Sequence, residues 1–549
     1  MQSRELIIQD RLGASRMIKH FTTASLIITG LTVCNLSFAQ TIPENIITTP
    51  ISSFNKENLE HIKNNDITKD FLKIITYIPD KELKINDETI NIDYGQMFKE
   101  ANEKFAQGNI TTAYKDYKDI VAAWTTDDFV NLGLAYKFAN MGLFSLAQEA
   151  INNIHDRELY NNQIQLIKSN IFPQVILSYD EEIKLAQNYT EIYYNNLAFE
   201  VAREMSKNYD KYKRSDYGHY ILSQAYYGIK EYNKSINEIN RALSINPDNI
   251  NYQKYKAQIL CETNKLNESI KILDMMLDNN ISVFDFQKDI ESLRYYTLAK
   301  GEKKHNLSKY YLANYFIKNN DIQRAIKELN QNITSNKKDY RSMTLLADIY
   351  FSQNRLADAM DMYEKSYKIK KNYTATLMGV ANMYLIKKDY KNAAEFFIRA
   401  YKQDKNKSEA LITAALCYKN LGMIDKSIEF TNKVFEKNKL SGKIYYTASK
   451  IDDIKEIQYL KKTVSIDPMF IDAWLALADI AIKNKKTDLA ISYLKPVKYL
   501  DNENYKYYYY QGLVNKQRGQ QEDANLNFKK ALQINPLFVD ASNELNNKK

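Results

Sequence analysis

Few residues in this 549-residue chain have the types and spacing of a reaction centre. Beyond the N-terminal segment the histidines are His61, His155, His219 and His305. None forms an HExxH or paired-histidine arrangement, and no CxxC occurs, so the ligand clustering of a zinc site is missing. Isolated histidines of this kind read as core or surface residues. The acidic pairs Asp127-Asp128, Glu181-Glu182 and Asp452-Asp453 are adjacent in sequence. Adjacency places them at helix starts or exposed turns, not across a scissile bond as glycosidase carboxylates must be. There is no glycine-rich phosphate loop and no GxSxG elbow. The chain is expected to be no enzyme, and to use no cofactor and no metal.

The elements behind these residues are repetitive. With frames of 34 residues starting at 94, 128, 216, 250, 306, 340, 374, 408, 471 and 505, a small residue recurs at two places. Place 8 is Ala101, Ala135, Ser223, Ala257, Ala313, Ala347, Ala381, Ala415, Ala478 and Gly512. Place 20 is Ala113, Ala147, Ser235, Ser269, Ala325, Ala359, Ala393, Ser427, Ala490 and Ala524. A period of this length predicts a helical solenoid, which is a binding surface before it is a catalyst.

The frame from 340 shows the pattern. Met343, Leu346, Ala347 and Tyr350 form one apolar helical face, and Leu356, Ala359, Met360 and Tyr363 form a second. Two antiparallel helices satisfy this, with Ala347 and Ala359 small enough for their backbones to approach. Asn233, Asn267, Asp321, Asp389 and Asp425 are expected to cap second helices. Ile245-Asn246-Pro247, Ile466-Asp467-Pro468 and Ile534-Asn535-Pro536 are expected to end them. Pro496 predicts a kink or an early stop. Only 14 glycines and 8 prolines suit a nearly all-helical chain. Cys261 and Cys417 fall on first helices several repeats apart, and are expected to be buried, unpaired thiols.

The array resembles the tetratricopeptide repeat family. Trp474, Leu477, Ala478, Ala490 and Leu494 match its motif in one frame, and Tyr508, Gly512, Ala524, Phe528, Ala531 and Pro536 in another. The resemblance covers most of residues 94–538. It implies an all-α fold, a right-handed superhelical solenoid of helix-turn-helix repeats. It also implies a concave groove lined by places 2, 5, 9, 12 and 13 of the first helices. Carried onto this chain, those places give Tyr310, Asn314, Ile317, Asp348, Phe351, Met378, Asn382 and Leu385, with Thr344 also in the row. The family's carboxylate clamp for chaperone tails survives only in part: Tyr310 with Asn314 keeps the asparagine, and Lys254 with Gln258 keeps the lysine. A chaperone-tail adaptor is therefore not expected.

The expected organisation follows. Residues 1–39 are a secretory signal peptide, with Met17 as the true start: Lys19 and His20 form a basic head, Ala24 to Val33 an apolar run, and Ser37-Phe38-Ala39 a cleavage site before Gln40. A lipoprotein-like reading puts a lipid anchor on Cys34, although Val33 departs from that signal. Residues 40–90 form a leader with little regular structure and one packed element expected at Phe71 to Ile78. Repeats occupy 94–161, degenerate helical repeats 162–215, a repeat pair 216–283, a helical insert 284–305, and a regular array 306–441. A shortened repeat at 442–470, a pair at 471–538, and a capping helix with tail at 539–549 complete the chain. No segment after the signal has the length of a membrane span, and no alternating strand run that would form a barrel follows the array.

The net charge of +9 is dispersed. Lys337-Lys338, Lys370-Lys371, Lys387-Lys388 and Lys485-Lys486 fall mostly at inter-helix turns, not along the stripe that nucleic-acid binding requires. The expected activity is that of a non-catalytic scaffold, secreted across the inner membrane to the periplasm, holding a protein or peptide partner of the envelope in its groove. The alternative is an accessory subunit of envelope polysaccharide synthesis or export, touching glycan through Tyr507 to Tyr510.

Overall fold

The structure is a computed structural model, and it describes residues 81–85, 88–92, 94–123, 127–175, 177–208, 213–278, 286–437 and 440–546. The signal segment, Cys34, His61 and the apolar stretch 71–78 lie outside the described residues. The first described element is an antiparallel hairpin, Lys81–Ile85 with Glu88–Ile92, in register Leu83 opposite Ile90. It stands in and just beyond the stretch expected to hold little regular structure. All other described elements are helices, most of them in antiparallel pairs, a solenoid of helix-turn-helix repeats.

Each repeat is built the same way. In repeat 340 the first helix is Tyr340–Ser352 and the second Leu356–Ile369; in repeat 374 they are Thr374–Ile386 and Tyr390–Gln403. The turn is set by one backbone conformation. Every positive-φ residue among the described ones occupies place 15 of a 34-residue frame: Gly108, Gly142, Asn196, Lys230, Asn264, Asn320, Asn354, Lys388, Gly422, Lys485 and Gly519. This left-handed residue ends the first helix, and the next amide returns to the carbonyl at place 11, as Arg355 N does to Tyr350 O at 2.8 Å; after Asn196 alone among these turns, Leu197 N reaches one residue further back, to Glu191 O at 2.8 Å. The second helix then starts at place 17. That geometry explains the caps. Asp321 and Asp389, at place 16, accept from Arg324 N and Asn392 N, as expected. Asn233, Asn267 and Asp425, at place 18, sit inside the first turn instead.

The small residues do what their size predicts. Ala347 with Ala359, Ala381 with Ala393, and Ala478 with Ala490 are all fully buried. Where serine replaces alanine, its hydroxyl crosses the contact: Ser223 Oγ donates to Ser235 O and Ser235 Oγ to Ser223 O, each at 2.8 Å. Ser269 and Ser427 bond Ala257 O and Ala415 O in the same way. A serine in these positions therefore leaves no orphaned polar group. The Ile-Asn-Pro and Ile-Asp-Pro endings also stand, with helices stopping at Ile245, Ile466 and Ile534.

The chain divides into two compact units. Unit 1 comprises Met1–His155, Gln165–Ile281 and Asp285–Ala325. Inside it lies a regular repeat that the small-residue pattern passes over. Helices Tyr179–Tyr193 and Ala198–Lys207 flank the left-handed Asn196, which fixes the frame start at 182, one period ahead of 216. Place 8 is Tyr189 and place 20 is Val201, so both diagnostic positions carry bulk. The two helices accordingly touch each other much less than do those of other pairs. The insert is a single helix, Phe286–Gly301, tied to repeat 250 by Lys254 Nζ to Asp289 Oδ2 (3.2 Å) and Lys300 Nζ to Cys261 O (3.0 Å).

Unit 2 comprises Asp156–Ile164, Ser282–Phe284 and Ile326–Lys549. Its core runs through Ala381, Phe397, Leu411, Cys417 and Ala448, all buried. Trp474, the large residue at place 4, is buried and donates from Nε1 to Pro468 O at 2.7 Å. Helix Thr487–Leu500 passes through Pro496 without an early stop. The proline removes one intrahelical bond, but Leu494, Val497 and Leu500 around it are buried, and that packing holds the last turn. Residues 442–470 form two short helices, Gly442–Ser449 and Glu456–Ile466. At the far end, helix Val539–Asn546 covers Ala524, Phe528 and Ala531 with Ala541.

Candidate binding face

The candidate chemistry of the sequence resolves into structural contacts. His219 is buried with Nδ1 2.7 Å from Glu238 Oε2 and Nε2 3.2 Å from Lys213 O, while Arg241 donates to the other Glu238 oxygen. His155 pairs at the surface with Asp128. Asp127 caps the helix it precedes, Glu181 completes a capping box with Ser178, and Asp452 accepts from Ile454 N and Lys455 N. Among the described residues no three His, Cys, Asp or Glu side chains converge as metal ligands. Cys261 and Cys417 are buried and unpaired; burial pushes their thiols up to about 11 and about 12.

The eight groove residues divide between the units. Tyr310, Asn314 and Ile317 lie on helix His305–Lys318 of unit 1. Asn314 is nearly buried there, and its Nδ2 donates to Tyr310 O at 2.8 Å, so its amide is engaged by its own helix. Asp348, Phe351, Met378, Asn382 and Leu385 lie on consecutive first helices of unit 2. Asp348 is exposed and Asn382 half-buried, both at place 9. Phe351, Met378 and Leu385 are half-buried, each with one side on the core. Thr344, placed in the same row by the family pattern, is instead buried. Its Oγ1 lies 2.7 Å from Thr376 Oγ1 and 2.8 Å from Ser366 Oγ, a hydroxyl triad that stitches repeat 340 to repeat 374.

Asp348 is held from behind. The Tyr363 hydroxyl donates to Oδ1 at 2.5 Å, and close packing of the surrounding walls pushes the carboxyl up to about 6 against that hydrogen bond. The residue as a whole is exposed all the same. Lys254, the remnant of a carboxylate clamp, has its ammonium taken by Asp289.

Sequence profiles of one family match at residues 218–249, 310–375 and 471–504. Three stretches match the tetratricopeptide repeat. The match from 471 begins on the first residue of repeat 471, and 218–249 lies inside repeat 216. Tetratricopeptide repeats are typical of protein–protein interaction scaffolds. Among solved structures, a tetratricopeptide repeat protein from Parabacteroides merdae is 17% identical, with 44% of this chain and 97% of that chain covered and a TM-score of 0.36. The Cut9–Hcn1 hetero-tetramer structure gives 12% identity, 83% and 96% coverage, and a TM-score of 0.36. YrrB, described as a TPR protein with an unusual peptide-binding site, gives 18% identity, 39% and 96% coverage, and a TM-score of 0.23. A comparison with curated proteins gives no match.

A second polar-aromatic cluster, with Gln224 and Gln258 buried, was not singled out by the sequence. Tyr193, Tyr220 and Gln224 occupy places 12, 5 and 9 of repeats 182 and 216 in unit 1, and Gln258 occupies place 9 of repeat 250. The signal that exposes it is the left-handed turn at Asn196, which restores the missing repeat to phase.

Proposed function

We propose that this protein is a non-catalytic scaffold that holds an extended segment of an envelope protein against the first helices of repeats 340 and 374. One observation carries the reading. Asp348, exposed, and Asn382, half-buried, stand at the same place on consecutive helices, while Ala347 and Ala381 beside them are wholly buried. A carboxylate and an amide in register accept from and donate to a peptide backbone, and Phe351, Met378 and Leu385 supply apolar contact on either side. The proposed location beyond the inner membrane rests on the basic head, apolar run and small-residue cleavage site within residues 17–39.

The test replaces Asp348 and Asn382 together by alanine and places a photo-crosslinking residue at Leu385. The envelope protein captured by the parent chain should be lost from the double variant while helicity stays unchanged. Undiminished capture would refute the assignment. N-terminal sequencing of the exported protein should begin at Gln40; a modified Cys34 at the N-terminus would show a lipid-anchored form instead. The glycan reading through the tyrosine run is not favoured. The Tyr508 hydroxyl is spent on Asn502 O at 2.9 Å, and Tyr509 packs on Phe528 and Phe538.

A further inference from the structure

Lysines in the turns between repeats form one row in unit 2. The turns 336–339, 370–373 and 404–407 join consecutive repeats, and each carries two: Lys337 and Lys338, Lys370 and Lys371, Lys405 and Lys407. All six are exposed. The turns share one geometry, in which the last amide returns to the first carbonyl: Asp339 N to Asn336 O (3.0 Å), Tyr373 N to Lys370 O (3.3 Å) and Lys407 N to Asp404 O (3.1 Å). They are also neighbours. Tyr340, just after the first turn, meets Tyr373 in the second with ring centroids 4.9 Å apart. Arg399 Nη2, on the helix leading into the third turn, donates to Lys371 O at 3.4 Å. Lys387-Lys388 and Lys485-Lys486 lie instead in turns within repeats, at the opposite ends of the helices. Neither turn geometry nor the helix dipole accounts for the row, because turns 246–249, 467–470, 501–504 and 535–538 close with the same hydrogen bond and contain no lysine. Among the described residues none of the six forms an ion pair. The two carboxylates in these turns are used locally: Asp339 is buried and accepts from Ser342 Oγ, and Asp404 accepts from Asn406 N.

We propose that this lysine row docks unit 2 on a bilayer surface that carries anionic phospholipid. The inference is independent of the scaffold reading, which uses the first-helix face. Lysine is a flexible, strongly hydrated point charge, suited to a diffuse anionic surface, whereas recognition of single phosphates favours the arginine fork. No arginine stands in the three turns. Ile369, next to Lys370, is 39% exposed. An apolar side chain among lysines gains from the boundary between headgroups and acyl chains, and gains nothing from the backbone of a nucleic acid.

The full chain is sedimented with vesicles of phosphatidylglycerol in phosphatidylcholine, and with vesicles of phosphatidylcholine alone. Binding to the first only, weakening as salt rises, is expected. Each lysine held at an anionic surface is worth about fivefold in partitioning, so Lys337→Gln, Lys338→Gln, Lys370→Gln and Lys371→Gln together should weaken binding about a hundredfold or more. All four are exposed turn residues, and circular dichroism checks that the variant folds. The N-terminal segment is the same in every variant, so the difference reads the row. A control removes equal charge from the opposite turns: Lys387→Gln, Lys388→Asn, Lys485→Asn and Lys486→Gln, with asparagine at the two left-handed positions. It should bind almost as the parent does. Equal loss in both variants, equal binding to both kinds of vesicle, or binding to neither overturns the proposal. So does capture of duplex DNA by the row with no vesicle bound.

Discussion

Gly379 sits mid-helix at place 6 of repeat 374, where alanine is ordinarily better by about 1 kcal/mol. Here the neighbourhood reverses that preference. A Cβ added at Gly379 would lie 2.2 Å from Tyr363 Cε1 and 2.3 Å from Cζ. The Tyr363 ring is 2% exposed, wedged among Ala347, Ala359 and Val380, so it must move by more than an ångström within a packed core. Overpacking of this kind costs about 1–3 kcal/mol. Moving the ring also breaks the Tyr363–Asp348 hydrogen bond, which adds about 1.5–3 kcal/mol for a bond to a charged group. After the propensity gain, Gly379→Ala should destabilise unit 2 by roughly 1.5–5 kcal/mol. Urea unfolding followed by circular dichroism reads this directly. The same substitution in a Tyr363→Leu background should be neutral or stabilising by up to about 1 kcal/mol, since the obstructing ring is gone. A single variant as stable as the parent, or a cost unchanged in the leucine background, would refute the packing argument.

Glu262 should make unit 1 less stable as pH rises. Burial pushes its carboxyl from 4.5 up to about 7, opposed by Lys300. Below pH 4.5 both folded and unfolded chains hold the proton and nothing is lost; between there and 7 the unfolded chain ionises first, so stability falls, by ~3 kcal/mol at most. Glu262→Gln should therefore raise the melting temperature at pH 8 and leave it unchanged at pH 4; equal effects at both would sink the idea. Ser223→Ala and Ser235→Ala should each cost about 1 kcal/mol in denaturant melts, and the pair less than the sum, because their mutual contact at 3.0 Å is lost only once.

The small residues at places 8 and 20 were enough to read most repeats from sequence, because close backbone approach leaves few choices of side chain. Repeat 182 escaped for the same reason inverted: Tyr189 and Val201 hold its helices apart, and only a backbone angle at Asn196 reveals it. The hairpin Lys81–Ile92 was passed over because each five-residue strand offers only two alternating apolar residues, Leu83 and Ile85, then Ile90 and Ile92, too short a run to stand out. Asn233, Asn267 and Asp425 looked like caps because composition marks a helix start without fixing it to one residue. The unit 2 face was legible at Asp348 and Asn382 but not at Thr344, where an inter-repeat hydroxyl contact outweighs the family pattern. Nor could the sequence show that Asn314 bonds its own helix.

The left-handed turn residue also bears on how the gene was assembled. Its place stays constant although its identity moves among glycine, asparagine and lysine, so a unit can be copied or lost whole without disturbing the helices beside it. Starts at 182, 216 and 250 share one phase, and starts at 306, 340, 374 and 408 share another. Phase breaks fall between these runs, at the insert Phe286–Gly301 and again near Gly442. Within each run a whole unit of 34 residues is thus the smallest insertion or deletion that keeps every turn in phase.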